Sequence, residues 1–174
     1  GDTAFAPDTI FVIRNQTETN GSVTFAGTVP SSNISSVLKL TQDLDSETNF
    51  FANPFPVSLS LQATGLSSSP FFAQTSSLRD FDGDFVKVYQ RVTDPADARF
   101  NRAADDIYVY YDGSDTTDVR YGALAAGWYD INDISNGPLD PAFRPIPASG
   151  GFAVTLAPGT PGSGVVQSVL PYAP

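Results

Sequence analysis

Histidine, cysteine and methionine are all absent from the 174 residues of this chain. Each absence excludes a chemistry. Histidine is the side chain that titrates near neutral pH without help, and cysteine is the strongest ordinary nucleophile. Ser-His-Asp triads, thiol catalysis and most zinc, copper and iron sites go with them. No disulfide can form, and the main oxidation liabilities are gone. Glutamate is scarce too: Glu18 and Glu47 are the only two. The acid is therefore aspartate, which favours turns and caps where glutamate favours helix interiors. No hydrophobic stretch is long enough to span a bilayer. The start at Gly1-Asp2-Thr3-Ala4 reads as a processed mature terminus, without a signal peptide.

What remains is an acidic, apolar chain. Hydrophobic residues make up 41% and charged residues only 16%, below the usual ~25%, which argues against disorder. A chain of this length hides roughly 70% of its unfolded surface and folds without a metal or disulfide. The net charge of -10 repels phosphate backbones and anionic lipids, so neither nucleic acid nor membrane insertion is expected. It suits a secreted, extracellular or cell-surface protein, a cation binder, or both.

Short strand-like runs recur. Thr9–Ile13, Ser22–Gly27, Val57–Leu61, Phe85–Tyr89, Ile107–Tyr111, Gly151–Leu156 and Val165–Leu170 are β-branched, aromatic or alternating. Ile107–Tyr111 is aromatic enough to be buried on both faces. Asn20-Gly21, Asp82-Gly83, Asp112-Gly113 and Asn136-Gly137 punctuate the runs. Two segments have helical spacing, Ile34 to Leu44 and Asp94 to Ala104. Residues 22–30 and 164–171 echo one another as alternating strands ending before proline, and could pair. The expectation is an all-β chain, a single-domain sandwich or distorted barrel of about eight to eleven short strands. Residues 1–21 form an N-terminal arm and residues 22–174 the β domain.

Several segments carry a resemblance. Phe50 to Val57 (FFANPFPV), Ala104 to Tyr110 (ADDIYVY), Gly127 to Asp130 (GWYD), Ile146 to Phe152 (IPASGGF) and Val23 to Pro30 (VTFAGTVP) stand in the order found in a family of uncharacterised secreted bacterial β-rich proteins, which the chain resembles over roughly residues 22–171. Ala153 departs from it, standing where that family usually carries a bulky aromatic. The resemblance implies a β fold and a secreted or surface location, and no chemistry.

Asp80, Asp82 and Asp84 are spaced to converge on a calcium ion if a loop curls around it. The match to a calcium loop fails where Phe85 replaces the bend glycine and Val88 the closing acid. A solvated turn is the competing reading, as it is for Asp112, Asp115 and Asp118 and for Asp130, Asp133 and Asp140. Asp105 and Asp106 are adjacent and point to opposite faces if they lie on a strand, which disfavours a two-carboxylate hydrolase. Trp128, Tyr110 and Tyr121 are candidates for a sugar-stacking platform, or for core aromatics. Asn15, Asn20 and Asn33 begin N-glycosylation triplets.

The arm is the last feature. Phe5, Phe11 and Ile13 share one strand face, and Ile10 and Val12 the other. Such a segment either forms a first strand in its own domain or adds to a neighbour's sheet. The expected function is that of a non-enzymatic structural subunit: a homopolymer forming a surface filament, fibre or matrix layer, with Phe5, Ile10, Phe11, Val12 and Ile13 as assembly anchors and no cofactor. The alternative is a secreted polysaccharide-binding module stabilised by Ca2+.

Overall fold

A computed structural model describes residues 30–39, 47–90, 103–115, 124–148, 150–158 and 163–171. Seven strands lie among them: β1 (Ile34–Leu38), β2 (Glu47–Ala52), β3 (Phe85–Tyr89), β4 (Asp106–Tyr111), β5 (Gly127–Asp130), β6 (Gly151–Leu156) and β7 (Gly164–Ser168). They form two antiparallel sheets, a pair β1-β7 and a five-stranded sheet in the order β2-β6-β3-β4-β5. Three short 3-10 turns complete the regular structure, and no α-helix occurs among the described residues. No helix there is long and apolar enough to cross a membrane. The architecture is all-β and sandwich-like, and the barrel alternative is set aside because neither sheet closes on itself.

The alternation of β3 and β6 produces one buried face. Val86, Val88, Phe152, Val154 and Leu156 point inward with Phe51 of β2, Tyr108 of β4 and Trp128 of β5. Leu38 and Val166 press onto this face from the two-stranded sheet, and a long crossing segment adds Phe55, Leu59, Leu61, Leu66 and Phe72. Burial of each large apolar side chain contributes roughly 2 kcal/mol. The opposite face of β4 and β5 has its own cluster, Val109, Tyr111 and Tyr129 under Leu78. β4 is thus buried on both sides, as its aromatic run suggested.

Two expectations are revised. Ile34–Leu38 is a strand, not the start of a helix. Ser35 and Val37 are exposed while Leu38 is buried, a period of two, and the pairing with β7 overrides the helical spacing. Val57–Leu61 is not a strand: only Leu59 pairs, exchanging backbone bonds of 2.8 and 3.2 Å with Ile146, because this stretch crosses the core rather than joining a sheet. The 164–168 strand pairs with β1; its sequence echo at 22–29 lies outside the described residues. Residues 1–29, most of 94–104, and Tyr121 lie outside the described residues.

Asn53 locks the start of the crossing segment. It is 4% exposed. Its side-chain N–H groups donate to the carbonyls of Val57 (2.9 Å) and Pro147 (3.0 Å), and its Oδ1 accepts from Phe55 N–H (3.0 Å). Its own N–H bonds Gly150 (2.7 Å). The NPFPV and IPASGGF segments, far apart in sequence, meet at this one amide. Asn53→Ala removes three side-chain hydrogen bonds from a buried site. It is expected to lower unfolding free energy by about 3 kcal/mol, read by urea titration; a loss below about 0.5 kcal/mol would contradict the assignment.

Candidate interaction surface

The aspartate loop before β3 does not gather its carboxylates. Phe81 takes a positive φ of 49°, which breaks the alternation that would align Asp80, Asp82 and Asp84. Asp80 is exposed. Asp82 accepts hydrogen bonds from the Thr75 hydroxyl (2.7 Å), the Ser76 hydroxyl (2.6 Å) and the Ser76 N–H (2.8 Å). Asp84 is wholly buried and accepts from the N–H groups of Ala73 (2.7 Å) and Ala157 (2.6 Å). No group of three or more acidic residues placed to hold a metal occurs among the described residues.

The other aspartates serve local turns. Asp112 accepts from Ser114 N–H, Asp130 from Asn132 N–H and Asp140 from Ala142 N–H, all at 2.8 Å, and Asp133 holds the Asn136 amide. These bonds two residues on are what aspartate offers a loop backbone. Asp118 lies outside the described residues. Asp105 and Asp106 both contact Gln90, the first through its N–H (2.7 Å) and the second through its side-chain amide (3.3 Å).

Trp128 and Tyr110 are brought together. Their rings meet edge to face at 5.4 Å, and Phe72 packs against the indole at 5.6 Å. Trp128 is only 6% exposed, so most of its ring lies in the core. Its Nε1 is the one buried side-chain polar atom without a hydrogen bond among the described residues. Beside it lies a cavity of about 220 Å³ lined by Leu61, Tyr110, Trp128, Leu139 and Phe143.

A surface that no motif announced lies on the two-stranded sheet. Residues directly opposite one another share a face, so Val37 of β1 and its partner Val165 of β7 stand side by side facing out. They are 61% and 59% exposed, and Val169, just beyond β7, is 50% exposed. A groove of about 600 Å³ runs beside Val165 and Val169, lined otherwise by serines, glutamines, prolines and small residues. No charged side chain lines it, in a chain of net charge -10. The alternation Val165-x-Gln167-x-Val169 was the available sequence signal. The anchors Phe5, Ile10, Phe11, Val12 and Ile13 lie outside the described residues.

Compared with protein families, with curated proteins and with solved structures, the chain matches none.

Asp82 makes the loop acid-sensitive. Burial pushes its carboxyl up, but the hydroxyls of Ser76 and Thr75 and the N–H groups of Ser76 and Ser77 together outweigh this and hold it below its ordinary 3.8. A carboxyl depressed in the folded state stabilises above its unfolded pKa, and that contribution disappears as pH falls through the folded value. The stability difference between wild type and Asp82→Asn should therefore be full above pH 3.8 and shrink below it. Urea titrations across this range check it; a difference independent of pH would contradict it.

Proposed function

We propose that this chain is an extracellular structural protein, a subunit of a surface filament, fibre or matrix layer assembled by strand addition between copies. The observation that carries this reading is the β1-β7 sheet. Among the described residues it has two strands, and three valines are exposed on or beside its outer face. Isolated apolar residues on a surface are ordinary, but neighbouring ones on a sheet favour a partner. The strongly negative charge keeps copies apart at long range and is screened within about 10 Å at moderate salt. Contact is then favoured where charge is missing, and the valine face is such a place.

The arm supplies the other half. Thr9-Ile10-Phe11-Val12-Ile13 is uncharged and apolar on both strand faces, the pattern that strand addition uses. A contact between an arm and a different surface is head-to-tail, and where the rotation between copies does not close a ring it propagates into a filament. The resemblance to secreted β-rich proteins supports an extracellular location. The reading requires no catalytic residue, and Asp112, Asp130 and Asp140 are taken up in local turns.

A second reading is a polysaccharide-binding module, favoured by the cavity beside Trp128 and Tyr110 with exposed Phe143 on its lining. Calcium would enter as a stabiliser of that module.

Velocity sedimentation and negative-stain electron microscopy of the full chain separate the two. Polymers are expected from wild type, and Phe11→Asp with Ile13→Asp should reduce them at least tenfold. A wild type that stays monomeric at every concentration, while glycan addition changes Trp128 fluorescence, would favour the second reading.

A further inference from the structure

Two open sheets have four outer strands, and here three are guarded. β7 is covered on its free side: Val169 N–H bonds Ala63 (2.8 Å), and Gly65 lies so close that an added Cβ would meet the Gln167 carbonyl oxygen at 2.2 Å. β5 is covered where Leu139 N–H bonds the Trp128 carbonyl (2.8 Å). β2 carries the charged Glu47 at its first position. Charged residues and covering segments of this kind are how proteins keep strand edges from pairing. β1 has neither. Its sequence, Ile-Ser-Ser-Val-Leu, contains no charge, proline or glycine, and among the described residues it pairs only with β7.

We infer that the outer edge of β1 is the acceptor strand, taking residues Thr9–Ile13 from a second copy of this chain. The inference rests on the assembly proposed above and names its docking site. A strand laid along β1 places alternate side chains on the two faces of the sheet. One set falls beside Ser35 and Val37, extending the row Val165–Val37, and the other falls beside Ser36 on the inner side. Most added segments would place a polar set on one face. This one has Phe11 and Ile13 on one face and Ile10 and Val12 on the other, so either orientation sets apolar side chains beside Val37.

The reach is sufficient. The described chain enters β1 from Pro30, and residues 14–29 separate it from the donor segment. Extended at about 3.3 Å per residue, they span roughly 50 Å, enough to reach a neighbouring molecule. Folding back onto its own β1 would close the edge and leave nothing to propagate. A donor from another copy satisfies the edge and exposes a fresh β1 at the far end.

The absence of cysteine makes the test clean. Full-length Phe11→Cys and Val12→Cys donors are mixed separately with Ser35→Cys and Ser36→Cys acceptors, assembled, oxidised and run on non-reducing gels. Directly opposed strand residues have Cβ atoms about 5 Å apart, close to what a disulfide needs. At least one donor–acceptor pair should give a band of twice the monomer mass, tenfold above either variant alone or a mixture with Ser135→Cys. Filaments without such a band would place the acceptor elsewhere and overturn the inference while leaving the assembly standing. Cross-linking confined within single chains, when both cysteines are on one chain, would overturn it as well. Neither filaments nor a cross-linked band would sink the inference and the assembly together.

Discussion

The fold hangs on a buried carboxylate. Asp84, at the foot of β3, is fully enclosed, and its two oxygens bond the backbone of Ala73 on one side and Ala157 on the other. A buried charge without partners would be prohibitively costly, whereas one that accepts from backbone N–H groups is strongly held. The Asp84 N–H returns a bond to the Ala73 carbonyl (2.8 Å). Gly83 permits this approach, since a Cβ there would stand 2.5 Å from the Thr75 nitrogen. Asn53 performs the same service at the other end of the segment. The lid that carries Phe55, Leu59, Leu61, Leu66 and Phe72 into the core is thus a loop suspended between two buried polar side chains. Irregular backbone can lie over a core only if such groups satisfy it.

That arrangement determines which surfaces are free. The lid and its neighbours cover most of the inner face of the five-stranded sheet, and β1 and β7 cover the rest over Phe51 and Phe152. The two-stranded sheet is therefore tightly seated on one side and bare on the other. Among the described residues the outer edge of β1 has no strand partner, and the exposed valines lie beside it. In the assembly proposed above, a strand added from the uncharged arm of another copy would meet both features.

Much of the fold was legible in sequence, for a physical reason. β3, β4 and β6 follow their alternating or aromatic runs to within one residue, because each is interior to the sheet and packing reinforces local preference. The edges were harder to read. β1 contains two serines and a valine that alternate only weakly, and its strand character comes from β7. β2 and β5 were visible only as parts of FFANPFPV and GWYD, with no strand assigned. The carboxylate spacing of Asp80, Asp82 and Asp84 could not reveal that a left-handed turn at Phe81 would send one into the core and leave the others outside. Trp128 was open to reading as a platform, with a core residue the stronger reading; its position between Tyr110 and Phe72 is a tertiary fact.

Amide hydrogen exchange across Ile34–Leu38 tests the central claim most directly. In the dispersed monomer the outward-facing amides of β1 should exchange quickly while those bonded to β7 are protected, and in assembled material both sets should be protected. Equal exchange of β1 in the two states, with protection appearing at another strand instead, would contradict the account.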